Sequence, residues 1–460
     1  MSVAIPQQRV AANARRWLLG FVLTQITCEL VLALVDAGAA LRILVRGAAL
    51  GIGLVYIVAL RTQGAVSPVR RWYLAVFLTL ALGALHPDSA GLLARVAQFL
   101  LYLAVLSPLL WTPALKPRVN DLKSILGVVW GFHTLSALFG VLQVYFPGQF
   151  DTALSSAITS QGYVYVQSLV MTLDSGQQIL RPSGLTDIPG GAAYSGVYAA
   201  VLGIGFILFS NGRKFRPLFA LSVIIGVASI ALSQVRAAAA DAAVCVIALA
   251  LVLATRRQFG KALLVVVLIG SAATGGLLLA LTKASQQVEE RYSSLLTDSP
   301  EEVYRANRGH FLEETLDQEL VKYPLGAGSG RWGMMQNYFG DPNSDSAGLH
   351  AEIMMTGLLY DGGILLILAY AGIIGVTLWR VFAIALRSND PSLRNWASLV
   401  FAYDIGAVAL TFSYPLFVSE AGVEFWLFNA LALGMPSVRS PQTLQQPNGR
   451  GMVKALVTSS

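Results

Sequence analysis

Runs of apolar residues recur along the chain, each closed by a short turn rich in arginine, lysine, glycine or proline. A helix needs about 20 mainly apolar residues to cross the hydrocarbon core of a bilayer. That spacing predicts twelve spans, near 17–36, 42–60, 72–86, 90–112, 123–146, 190–210, 216–234, 236–255, 262–283, 363–383, 395–413 and 420–437. The third is short, and Arg95 interrupts the fourth. No internal repeat is visible. The expected fold class is all-α: a polytopic integral membrane protein with a large outer loop that contains helices of its own.

Composition agrees with this pattern. Of the 460 residues, 55% are hydrophobic and only 12% charged, and the mean hydropathy is +0.63. A soluble domain carries about 25% charged residues. Length alone suggests about three domains, but a single helical membrane body fits better. The net charge of +7 is not a nucleic-acid signal, because its sign depends strongly on the side of the membrane. Membrane lipids are expected partners and nucleic acid is not. Cys28 and Cys245 lie inside apolar runs, so no disulfide framework is implied. The opening "RRWLLGFVLTQITCELVLALVDAGAA" has signal-peptide features, yet it is long enough to span and carries Glu29, so an uncleaved first helix is expected.

Charge then orients the spans. With the N-terminus in the cytoplasm, each of seven inner segments holds three basic residues, from Arg9, Arg15 and Arg16 to Arg439, Arg450 and Lys454. These are 21 of the 32 lysines and arginines, against only Asp121 and Asp390 as acids. This is the positive-inside pattern, with both termini cytoplasmic. The chain divides into a cytoplasmic start at 1–16, nine spans over 17–283 with an outer loop near 147–189, a large outer loop at 284–362, three spans over 363–437 and a basic cytoplasmic tail at 438–460.

Long outer segments are usually functional. In the second, Ser299-Pro300-Glu301-Glu302 forms a capping box with proline at the first helical position. The helix "EEVYRANRGHFLEETLDQELVKY" follows until Pro324, with Arg305 and Arg308 on one face. Eleven basic residues, Arg42, Arg46, Arg95, Arg181, Arg236 and Arg331 among them, lie outside the inner segments. Arg236 is the most telling, because "ALSQVRAAAADAA" makes a tight outer turn that leaves its guanidinium at the membrane boundary. A guanidinium there can bind a lipid-linked phosphate bidentately; the plain alternative is headgroup snorkelling. Arg181 opens "RPSGLTDIPGG", a shaped turn. "PLGAGSG" at 324–330 is glycine-rich but follows a helix and lacks the Lys-Ser/Thr of a phosphate loop. "DPNSDSAG" lacks the spacing of a calcium loop and reads as a plain turn. His350 is one of only four histidines and stands at the lip of an apolar segment.

In order along the chain, "RPSGLTDIPGG", "SQVR", "NRGHFLEETLDQELVKYPLGAGSG" and "HAEIMMTGLLYDGGI" resemble the motifs of the bacterial O-antigen ligase and O-antigen/exopolysaccharide polymerase superfamily. The resemblance covers about residues 180–380. It implies that Arg236 and Arg308 are the functional arginines, His350 the essential histidine, Arg181 the earlier arginine and Asp361 the acidic position before the glycine turn. Ala351 replaces the usual Asn after the histidine, and Arg305 competes with Arg308 as the loop arginine.

The function so implied is transfer of a glycan from an undecaprenyl-diphosphate-linked donor to an acceptor hydroxyl, on a glycan or a lipid, at the periplasmic face of the inner membrane. Arg236 and Arg308 would neutralise the diphosphate as the glycosyl bond breaks. His350 would act as general base. Arg181, Arg305 and Asp361 would contact substrate. No metal-binding carboxylate cluster is evident beside these residues, so the expected reaction is metal-independent, without cofactors, and inverting. Polymerisation of repeat units is favoured, with an O-antigen ligase using the lipid A core as the alternative; a chain-length regulator is a partner the reading admits. A transporter or flippase is the competing class, with Glu29, Arg95, His133, Asp241 and Asp404 as its ionisable candidates. A non-catalytic assembly partner in polysaccharide export is the third.

Overall fold

A computed structural model describes residues 13–35, 38–60, 62, 69–152, 163–283, 299–305, 309–340 and 348–435. Arg308, the stretch 341–347 and the tail beyond 435 lie outside the described residues. The protein is mostly helical, with one small antiparallel ladder pairing Val170–Thr172 with Gln178–Leu180. Among the described residues, nine helices are long and apolar enough to cross a membrane. This is a helical membrane protein.

Each predicted span corresponds to a helix, with two informative differences. The fourth breaks into Leu92–Leu106 and Pro108–Leu115, because Pro108 has no amide proton to continue the first ladder. The tenth starts at Met354, nine residues earlier than the expected 363, and runs to Arg387. It is kinked at Gly362 and Gly363, so its first two turns lie ahead of the glycine break that marked the start of the apolar run.

Small residues let the bundle pack closely. Gly191–Phe209 is its central helix, buried along most of its length. A Cβ on Gly196 would sit 2.4 Å from the carbonyl oxygen of Gly226, so these two backbones touch without side chains between them. The Phe259–Leu281 helix is peripheral and turns Leu263, Val266, Val267 and Leu278 outwards. These apolar side chains suit acyl chains.

The connections at one end of the bundle are tied to one another. Asp187 in the 181–191 turn binds Arg42 and Arg46 near the start of Ala39–Ala59. Gly190 packs on Val235 in the turn before Arg236. The amide of Ala90 donates to the carbonyl of Ser329 at 3.1 Å, that of Asp174 to Lys283 at 3.1 Å and that of Met354 to Thr411 at 3.0 Å. The opposite end carries Lys116, Arg118, Arg213, Lys214, Arg257 and Arg387 on its connections. There Arg256 donates to Asn395 Oδ1 at 2.8 Å and Ser398 Oγ at 2.9 Å, tying its connection to the first turns of the Pro391–Leu410 helix.

Candidate functional site

The expected capping box forms: Ser299 Oγ accepts from Glu302 N at 3.2 Å, and Ser299 N donates to Glu302 Oε2 at 3.1 Å. The donation from Ser299 N, with a second from Ser299 Oγ to the same Oε2 at 2.9 Å, holds the exposed Glu302 carboxyl below the usual carboxylate range. Beyond the undescribed residues the helix resumes at His310–Glu314, widens into a π-helical turn at Thr315–Glu319 and ends at Leu320–Lys322 before Pro324. Thr315 Oγ1 meets Thr356 Oγ1 at 2.6 Å, fastening this outer helix to the first turn of Met354–Arg387.

The glycine-rich segment 324–330 explains the kink in that long helix. Gly363 has φ 65°, and a Cβ there would lie 2.3 Å from the Pro324 carbonyl oxygen. The Pro324 carbonyl accepts from Ile364 N at 3.0 Å, and Ala327 N donates to the Tyr360 carbonyl at 2.9 Å. The segment thus satisfies backbone groups that the kink frees from the helical ladder. Gly328 presses on Ser89 and Gly330 on Ala94, both at positive φ with under 3.0 Å to a would-be Cβ. The glycines are there for close backbone packing, and no anion-binding role is needed to account for them.

Asp361 is fully buried beneath this segment. Its Oδ2 accepts from Gln98 Nε2 at 2.7 Å, Tyr102 OH at 2.9 Å and Trp332 Nε1 at 2.8 Å, and Gly330 N approaches Oδ1 at 3.5 Å. Expected to contact substrate, it joins three parts of the chain. Leu349 N donates to Arg331 O at 2.8 Å, so the next residue, His350, is carried on the same assembly. The His350 ring is exposed, with Nε2 2.8 Å from Glu352 Oε1.

Arg236 begins the Arg236–Thr255 helix after a turn in which Gln234 takes φ 55°. The guanidinium is half-buried, and its Nε is buried without a hydrogen-bond partner among the described residues. A cation at a helix N-terminus works against the macrodipole; an anion bound there would be held by both charges. Arg181 is half-buried, and its backbone carbonyl accepts from Gly190 N at 3.3 Å, closing the turn. Arg305 is exposed and pairs with Glu301 at 3.2 Å and Glu313 at 3.4 Å. Several arginines outside the inner segments have structural duties. Arg42 and Arg46 hold Asp187, Arg95 donates to the Ala84 carbonyl at 3.1 Å, and buried Arg331 donates to the Ala327 carbonyl at 2.9 Å.

Two cavities adjoin the 181–191 turn, and Asp187 lines both. The outer one, about 370 Å³, has a mixed polar and apolar wall that includes Arg181, Asp151, Gln177 and Gln178. The inner one, about 160 Å³, lies within the membrane body and is walled mainly by apolar side chains. Glu29, His133, Asp241, Glu420 and Glu424 face it. His350, Arg236 and Asp361 line neither. Glu420 and Glu424 went unremarked in the sequence, although two acids four apart inside an apolar run were a usable signal. Among the described residues, no group of three or more His, Cys, Asp or Glu is disposed to hold a metal ion. Compared with known proteins, the chain matches no family model and no curated sequence.

Proposed function

We propose that the protein is a membrane glycosyltransferase that moves a glycan from an undecaprenyl-diphosphate-linked donor to an acceptor hydroxyl at the periplasmic face of a bacterial inner membrane. Twelve helices span: the nine above together with Arg70–Ala84, Pro391–Leu410 and Glu420–Gly434. Both termini are then cytoplasmic, and the basic connections form the cytoplasmic end. The observation that carries the reading is that Arg181, Arg236 and His350 all lie on connections at the other end, where Gly190 of the Arg181 turn packs on Val235 beside Arg236 and the His350 segment is joined to the connections of Ala90 and Thr411.

In this reading Arg236, with Arg308 from the loop, neutralises the diphosphate as charge develops on it. Glu352 accepts from Nε2–H of His350, which leaves Nδ1 with the lone pair that takes the acceptor proton. Attack from the face opposite the diphosphate inverts the anomeric centre. Arg181 and the outer cavity receive the glycan. Asp361 acts by fixing the loop that carries His350. The two long outer segments favour a polymerase of repeat units, with ligation to the lipid A core as the alternative. The test is glycan transfer by Arg236→Ala and His350→Ala, each inserted at normal levels; full activity in both overturns the reading.

A second reading, a transporter or flippase, is favoured by one observation. Glu29, His133 and Asp241, on three different helices, face one cavity inside the membrane body. Ion-coupled movement of a lipid-linked glycan with no new glycosidic bond would select it.

A further inference from the structure

His133 lies on Val119–Tyr145, is 8% exposed, and is stacked on Tyr198 with ring centroids 4.0 Å apart at 12°. Its Nδ1 is 3.2 Å from Ser195 Oγ, and its Nε2 is 3.5 Å from Glu424 Oε1. Ser195 donates its own proton to Ser136 Oγ at 2.9 Å, and Ser136 also accepts from Leu185 N at 3.0 Å. A hydroxyl has one proton to give. With that proton committed to Ser136, the contact between Ser195 and the ring requires Nδ1–H to donate. A neutral ring of that tautomer points its Nε2 lone pair at a carboxylate oxygen, which repels it. A proton between the two turns the contact attractive, as a carboxyl O–H to nitrogen or as an imidazolium beside a carboxylate.

We propose that His133 and Glu424 form a proton-binding site in the membrane cavity, holding one proton between Nε2 and the carboxyl group. Glu420 lies one turn earlier on the helix of Glu424, while Glu29 and Asp241 face the same space from two other helices. Asp187 also faces it, but its charge is met by Arg42 and Arg46. The phenols of Tyr198 and Tyr403, 2.6 Å apart, complete the wall without adding charge. The stack on Tyr198 keeps the ring from turning, and the serine pair ties it to the 181–191 turn at the outer end. A proton bound here can be exchanged with water or with a hydroxyl- or amine-bearing ligand that enters the cavity. The site stands apart from the glycan-transfer reading, and its test needs no turnover.

The experiment is nitrogen NMR of the full-length protein labelled with ¹⁵N-histidine, in detergent, with the His133 signals assigned by their loss in His133→Gln. The expected result in the native protein is a protonated Nδ1 and an Nε2 that also carries or shares a proton. In Glu424→Leu, which offers Nε2 neither a proton nor a donor, the Nε2 signal moves to the position of a nitrogen with a free lone pair, while the His350 signals stay in place. The proposal is overturned if native His133 is the opposite tautomer, with Nε2 alone protonated. That reading needs no variant beyond the one used for assignment. An Nε2 signal unmoved in a folded Glu424→Leu protein would overturn it equally.

Discussion

The indole Nε1 of Trp332 donates to the carboxyl group of Asp361 at 2.8 Å, joining the glycine-rich outer segment to the kinked helix that follows it. Gln98 and Tyr102 donate to the same oxygen from a third element. Removing the acceptor would leave all three buried donors without a partner, and each costs about 1–3 kcal/mol when orphaned. Asp361→Ala is therefore expected to lower the thermal midpoint in detergent far more than Trp332→Phe, which removes one donor and leaves the acceptor served. Equal midpoints for the two variants would contradict this role of Asp361.

Asp187 holds Arg42, which is fully buried, and Arg46 with a single carboxylate. Breaking a buried pair by removing one partner costs about 3–5 kcal/mol. Asp187→Ala removes the carboxylate that both guanidinium groups share, whereas Arg46→Ala leaves the Arg42 contact intact. Yield and thermal midpoint should fall further for Asp187→Ala than for Arg46→Ala. The reverse order would show that Arg46 is held by something other than Asp187.

Glu302 gives a pH dependence with a definite sign. Its carboxyl is held below the usual range by the hydrogen bonds of Ser299 in the folded loop. A lowered folded-state value means that the contribution is fully present above the ordinary glutamate range and is lost as the pH falls through the lowered value. Cleavage at the start of the Pro300 helix by an acid-tolerant protease should rise on acidification in the native protein. In Ser299→Ala it should already be raised at neutral pH and change less with pH. An identical pH profile in the two proteins would contradict the capping role.

The proposed arrangement of twelve spans with both ends inside makes a direct labelling prediction. In a protein whose Cys28 and Cys245 are replaced, Ser175→Cys should react with an impermeant thiol reagent added outside, and Lys214→Cys only after the membrane is opened. Reaction of Lys214→Cys from outside would contradict the orientation.

Much of the helical framework was legible because a bilayer imposes one length and one composition on every span. The Ser299 capping box was legible for a related reason: its partners are three residues apart. What escaped was everything that depends on distant segments meeting. Arg42 and Arg46 stood out as arginines against the orientation pattern, yet nothing local connects them with Asp187 some 145 residues later. Asp361 was visible as an acid before a glycine turn, but which way it points depends on Gln98, Tyr102 and Trp332. The glycines of 324–330 were recognised as a feature, and their purpose appears only with the kink at Gly363 beside them. Glu29, His133 and Asp241 sit on three helices without any repeated spacing, so their common cavity had no sequence signature.

The most direct measurement is to incubate the purified protein with lipid-diphosphate-linked repeat units from its own host and separate the products by size, beside His350→Ala and Arg236→Ala proteins of equal thermal stability. The expected result is a ladder of lengthened glycans with the native protein and none with either variant. If the native protein gives no ladder, but joins the glycan to added lipid A core in a His350-dependent way, the chain is a ligase and the site assignment stands. A native protein that makes neither product, or a His350→Ala protein that makes it at the native rate, would contradict the glycosyltransferase reading.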